Sequence, residues 1–152
     1  MHTASDVAKW ILQRNDIEDM LGDAERISNL KLQKLLYYAQ GTFLAMTGRR
    51  LFADDIVKWE HGPVVVSVYH EYSSNGRNGI IYTDEMAPQE EYTKEEESIL
   101  EMVYNYFGQY SAWKLRNMSH KERPWITAAK NGVISPQVIE EYFKEVYVDE
   151  SA

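Results

Sequence analysis

The sequence predicts an all-α domain, or an α-dominated α+β one, with about six to seven helices and at most one short two-stranded ribbon. Three observations carry that expectation. Apolar residues recur at helical spacing along at least five segments. Ser, Thr, Asp and Pro stand ahead of those segments, at places that start helices. Strand-like runs are confined to residues 56–59 and 80–83. At 152 residues the chain has the size of one domain, so residues 1–152 read as a single unit with its core between about 5 and 147.

In chain order, Ser5 and Asp6 mark a first helix start, with Val7, Ala8, Ile11 and Leu12 on one face. Residues 15–25 are polar around Ile17, Met20 and Leu21 and read as a loop or broken turn. The strongest helix runs from Ser28, a good N-cap, to about Thr47, with Gly48 as its stop. Leu32, Leu35, Leu36, Ala39, Phe43 and Met46 share one narrow face of it. Leu30, Tyr37 and Leu44 form a second apolar line. A surface helix needs one stripe, so this helix is either central or meets a partner.

Residues 56–59 and 80–83 read as short strands, and Gly62-Pro63 between them as the opening of a helix carrying Val64, Val65, Val68, Tyr69 and Tyr72. The charged stretch 84–92 reads as the mobile loop. Thr93 with Glu96 forms a capping box, and Ser119 with Glu122 a second. Ser111 caps a short helix through Leu115. Ser135-Pro136 starts the last helix, with Val138, Ile139, Tyr142, Phe143, Val146 and Tyr147 inward, and residues 148–152 are expected to fray.

Composition narrows the chemistry. Hydrophobic residues make up 44% and charged residues 26%, as in a folded globular chain. With no cysteine, disulfides and thiolate zinc sites are excluded. The N-terminus lacks the pattern of a signal peptide and no 18 apolar residues run together, so a cytoplasmic location is expected. Net charge is −8; residues 84–101 hold eight carboxylates against Lys94 and so carry −7 of it. No basic stripe is left to neutralise phosphates, which argues against nucleic-acid binding.

No phosphate-binding loop, dinucleotide fingerprint or nucleophile elbow is present. His61, His70 and His120 stand too far apart for a helical metal pair, so no catalytic residue, cofactor or metal ligand is assigned. The run Glu95-Glu96-Glu97 sits where a helix N-terminus favours negative charge. Lys34, Tyr37, Trp59 and His61 are the expected partner-binding residues. Tyr37 lies off the main apolar face, beside Lys34 and Gly41, while Trp59 and His61 flank a turn stiffened by Gly62-Pro63. The competing reading makes Tyr37 and Trp59 core.

Several segments together resemble a known family. They are Asp6-Val7-Ala8; the run from Ser28 through Lys31-Leu32-Gln33-Lys34-Leu35-Leu36-Tyr37-Tyr38-Ala39-Gln40 to Gly41; Gly48 with Leu51-Phe52; Trp59-Glu60-His61-Gly62-Pro63-Val64-Val65 with Val68-Tyr69; and Ser119-His120-Lys121-Glu122-Arg123-Pro124-Trp125. The pattern is similar to the Panacea domain, also known as the SocA- or GepA-like phage-associated domain, over about residues 5–145. Two positions depart from it: His61 stands where an aromatic residue is commoner, and Ser119 where Thr is usual.

The resemblance implies a non-enzymatic antitoxin that neutralises a cognate toxin protein encoded beside it in a bacterium or prophage. It also implies two alternatives: a proteolytic adaptor delivering a toxin to an AAA+ protease, and a DNA-binding autorepressor or phage regulatory protein. A hydrolase of undefined type stands as a further rival, and it needs a pocket with convergent polar groups. The purified protein is expected to carry no stoichiometric zinc or iron. Elemental analysis after dialysis checks this, and one retained equivalent would turn attention to His61, His70 and His120.

Overall fold

The structure, a computed structural model, describes residues 1–22 and 24–148. Along the chain run α1 (Ala4–Met20), α2 (Asn29–Thr47), β1 (Val57–Trp59), β2 (Gly62–Val64) and α3 (Val66–Glu71). Then come α4 (Lys94–Phe107), α5 (Ala112–His120), α6 (Arg123–Thr127) and α7 (Pro136–Val146). Short 3₁₀ turns occupy Ser73–Asn75 and Asp84–Met86. Seven helices and one two-stranded ribbon among the described residues match the predicted class. None of these helices is long and apolar enough to cross a membrane.

Helix α2 is the axis of the fold. Ser28 caps it by accepting from the Lys31 amide at 3.2 Å, and Gly48 ends it at φ 74°, a conformation glycine adopts without strain. Every residue from 32 to 45 is buried, so both apolar lines of the sequence pack inside the protein except at their ends, where Leu30 is half-buried and Met46 exposed. Helices α7 and α4 make the broadest contacts with it, followed by α5, β2 and α1. Ile139 and Phe143 of α7 and Val103 and Phe107 of α4 enter the same core.

The close approach of α7 depends on Gly41. A Cβ there would lie 2.4 Å from the Phe143 ring. A side chain at residue 41 would force the two helices apart, which explains a glycine in a helix interior despite its conformational cost.

Several local expectations change. Helix α1 does not stop near Asn15 but continues to Met20, because Asn15 turns inward and works as a bracket. Its amide donates to the Glu25 carbonyl at 2.9 Å and its oxygen accepts from the Ile27 amide at 3.0 Å. Ile17, Met20 and Leu21 stay exposed, and Thr3 rather than Ser5 caps the start, accepting from the Asp6 amide at 3.1 Å. Residues 80–83 form no strand; Ile80 donates a single backbone bond to Ile27 at 2.8 Å. The strand partner of β1 is β2, with Trp59 opposite Gly62, so Gly62-Pro63 closes a hairpin and the helix waits until Val66. Proline has no N–H to give, and the far side of β1 is paired instead with residues 131–134.

The stretch 84–92 is tied down rather than loose. The buried Asp6 carboxylate accepts from the Gln89 amide at 2.7 Å, the Glu90 amide at 3.3 Å and the Tyr92 hydroxyl at 2.8 Å. The caps at Thr93, Ser111 and Ser135 form as read, and the Thr93–Glu96 box is complete. The Ser119–Glu122 box does not form: α5 runs on through Ser119 to His120, and the Glu122 side chain points into the core. Val148, expected to fray, donates to the Phe143 carbonyl at 2.9 Å; the expectation for residues 149–152 lies outside the described residues.

Gly41→Ala is expected to destabilise the protein by at least about 1–3 kcal/mol, read as a lower urea midpoint. Adding Phe143→Leu should recover part of the loss, because the clash is with the ring. Equal midpoints for wild type and Gly41→Ala would contradict the close approach.

Candidate functional site

A groove of about 800 Å³ opens where the first turn of α2, the β1–β2 hairpin, α3 and the start of α5 meet. Leu30, Trp59, Val64, Tyr69 and Trp113 make its lining mainly apolar, and Glu60, His61 and Arg77 also line it. The Trp59 and Tyr69 rings meet edge-on at 5.0 Å. Trp113 is 57% exposed, a large apolar surface left uncovered in this chain.

Buried amides hold the walls. Asn29 donates to the Tyr69 carbonyl at 3.0 Å, Gln33 donates to Asn29 at 3.0 Å, and the Gln33 oxygen accepts from the Val65 amide at 3.0 Å. These bonds fasten α2 to the end of β2 and to α3. Trp125 donates its indole N–H to the Trp59 carbonyl at 3.0 Å, which fastens α6 to the hairpin. The groove is therefore preformed, and a partner meeting it has little ordering left to do.

The four residues singled out from the sequence fall in two places. Trp59 and His61 line the groove, the first half-buried and the second exposed. Lys34 has no exposed surface; it lies directly beneath the hairpin and donates to the Pro63 carbonyl at 2.9 Å. Gly62, at φ 114°, leaves room for it, since a Cβ there would come within 2.7 Å of Lys34 Cε. Tyr37 also has no exposed surface and does not line the groove.

Tyr37 belongs to a different construction. Its hydroxyl donates to Glu122 Oε1 at 2.9 Å, and Tyr38 donates to Oε2 at 3.1 Å, where the Tyr147 hydroxyl also donates. Burial pushes the Glu122 carboxyl up and the three hydroxyls pull it back, leaving it raised. The same burial and the Glu122 charge raise all three tyrosines. This cage joins α2, the start of α6 and the end of α7.

Sequence reasoning missed Trp113 and Tyr69 as groove residues, and Arg116 beside them. Trp113 is an exposed residue on a short helix, with no pattern that separates it from a surface tryptophan. Arg116 lies 4.3 Å over the Trp113 ring and donates to His61 Nδ1 at 3.3 Å. The histidines do not gather: among the described residues no three His, Asp or Glu side chains converge as a metal site would require. A second, more polar cleft of about 720 Å³ includes Asn15, Glu18, Lys31 and Tyr104. Its polar groups are engaged within the fold: Tyr104 donates to Glu18 at 3.1 Å and Lys31 to the Gly108 carbonyl at 2.7 Å.

Comparison with known proteins gives two matches. A family model described as antitoxin SocA-like, Panacea domain, matches residues 32–126. The antitoxin SocA of Caulobacter vibrioides (strain NA1000 / CB15N) is 51% identical over 55 residues, which is 36% of this chain and 29% of that protein. The match therefore spans under a third of the relative. No solved structure matches.

Burial, with Arg116 adding repulsion, lowers the Lys34 amine from its ordinary 10.5 to about 7. Between those values the unfolded chain binds the proton and the folded chain does not, so stability rises with pH across that window. His120, also lowered by burial from 6.5, acts with the same sign below pH 6.5. Unfolding free energies from urea titrations should climb from about pH 7 to pH 10, by up to about 4 kcal/mol at ~1.4 kcal/mol per pH unit. Above about pH 10 the tyrosines reverse the trend, because they ionise in the unfolded chain first. Lys34→Met should flatten the rise; an unchanged slope would show that Lys34 is charged in the folded protein.

Proposed function

Because the chain belongs to the family of SocA-like antitoxins built on the Panacea domain, we propose that it neutralises a toxin protein encoded beside it by binding that toxin directly in the cytoplasm. The observation that carries the reading is the preformed aromatic groove, whose Trp59, His61 and Trp113 lie inside the span matched by the family model. Exposed tryptophan on a rigid apolar surface is the usual anchor of a protein interface. In this reading Trp59, His61 and Trp113 touch the toxin. Lys34 supports the hairpin from below, and Tyr37 holds the core that fixes α2.

Neutralisation by contact needs no chemistry from the antitoxin. It needs affinity, which follows from burying these rings against a toxin surface without first ordering them. Delivery of the toxin to a AAA+ protease starts from the same contact and differs only in what happens afterwards.

Expression of the neighbouring gene alone should arrest growth of a bacterial host, and co-expression of this chain should restore it. Trp113→Ala should weaken toxin capture by about 2 kcal/mol or more while leaving the melting temperature near wild type. Tyr37→Ala should instead cost about 3–5 kcal/mol of stability. A harmless neighbour, or no rescue by the wild-type chain, removes the antitoxin reading. Full rescue by Trp113→Ala together with Trp59→Ala moves the toxin contact away from the groove. A toxin that accumulates in complex indicates direct inhibition, whereas one that disappears only when the protease is present indicates delivery.

A further inference from the structure

Basic groups collect at one end of the groove. His61 lies in the hairpin turn, and Arg116 reaches it from α5 with Nε 3.3 Å from Nδ1. Lys34 approaches from α2 under Gly62, and His120 follows Arg116 by one turn of α5. The chain as a whole carries −8, yet among the described residues no carboxylate forms an ion pair with any of the four. They oppose one another instead. After burial, repulsion from Arg116 is the largest effect lowering both Lys34 and His120, and Lys34 and His61 add to it at His120. Nε2 of His120 is buried without a hydrogen-bond partner.

Glu60 lines the same groove beside His61, yet it forms no ion pair with any of these four groups. Basic groups crowded beside an apolar groove with no paired carboxylate oppose one another's charging in the free protein, and an arriving anion relieves that opposition. The Arg116–His61 bond makes the point locally. His61 accepts through an unprotonated Nδ1, a weak substitute for a carboxylate oxygen, so the guanidinium is held in place without its natural acceptor.

We propose that this end of the groove is a carboxylate-recognition site, which receives an aspartate or glutamate side chain of the toxin segment whose apolar neighbours fill the space between Trp59, Tyr69 and Trp113. The inference rests on the antitoxin reading. Arg116 and His61 touch the carboxylate, the guanidinium exchanging the imidazole for a charged acceptor. Lys34, with no exposed surface, acts through its charge from beneath. The groups facing the site from each packed element are Lys34 of α2, Glu60 and His61 of the hairpin, and Arg116 and His120 of α5, with Arg77 after α3 also on the groove wall. An incoming negative charge raises the proton affinity of Lys34 and His120, both lowered in the free protein, so binding takes up protons and tightens as pH falls from about 8 to about 6.

The full chain is titrated with indole-3-propionate and, separately, with its neutral amide, following the ring protons of His61 and His120 by NMR. The acid should shift both rings and raise the pH at which they titrate, and the amide at equal concentration should not. Arg116→Gln should weaken the acid by about tenfold or more. His61→Ala, at an exposed turn, should weaken it as well and guards against misfolding of the Arg116 variant. Equal binding of acid and amide, or no effect of either on His61, overturns the proposal. So does inorganic phosphate displacing the acid at lower concentration, which would make the site one for phosphate. A chain that rescues growth but ignores the acid sinks this inference alone, whereas one that binds the acid but never rescues growth sinks the antitoxin reading.

Discussion

A helix buried along most of its length must find partners for its polar side chains inside the protein, and α2, buried from residue 32 to 45, is such a helix. Its buried Gln33, Lys34, Tyr37, Tyr38 and Gln40 reach out to the hairpin end, to residues 51–52 and to Glu122. Gln33 holds Val65, Lys34 holds Pro63, and the two tyrosines hold Glu122. Gln40 accepts from the Leu51 amide at 2.7 Å and donates to the Phe52 carbonyl at 2.9 Å. An apolar helix in the same place could slide or rotate and lose little. Here a displacement strands several buried polar groups at once, at about 1–3 kcal/mol each. The polar residues of α2 thus set the register of the whole fold.

The Glu122 cage shows how strict that arrangement is. A buried carboxylate without partners costs several kcal/mol, yet this one gathers hydroxyls from two adjacent residues of α2 and from the end of α7. Adjacent helical residues point in different directions, so only an acceptor set between them reaches both hydroxyls. Glu122 therefore fixes where α6 begins and how α7 lies over α2. The Phe143 ring then seats over Gly41, the one position on α2 that leaves it room.

The same logic connects the core to the groove. Lys34 is a core residue by burial and an electrostatic element of the groove by position. Its amine supports the hairpin through Pro63, and its proton affinity is lowered by burial and further by the Arg116 guanidinium. The ion-paired acidic residues lie elsewhere, among them Glu96, Glu101 and Glu95, engaged with His2, Arg14 and Arg49 around α4. Separating charge in this way gives one small basic spot on an otherwise acidic molecule, framed by Trp59 and Trp113. Such a spot discriminates among partners more than it adds affinity.

Local signals determined a good deal by themselves. The periodicity of α2, α4 and α7 and the caps at Ser28, Thr93, Ser111 and Ser135 need only neighbours within one turn, so they are legible in the chain. The resemblance carried by residues 31–40 and 59–65 rests on the order of residues alone and identified the family correctly. Tertiary structure decided the rest. Glu122 reads as half of a capping box until Tyr37 and Tyr38, some 85 positions away, claim its carboxylate. Gly62-Pro63 reads as a helix start until β1 lies beside it. Tyr37 and Lys34 read equally as surface or core, because a spacing along one helix does not say how many neighbours surround it. The groove itself combines α2, the hairpin, α3 and α5, and the basic cluster at its end exists only once those elements have met. Charge and aromatic content are written in the sequence; their convergence is a property of long-range packing.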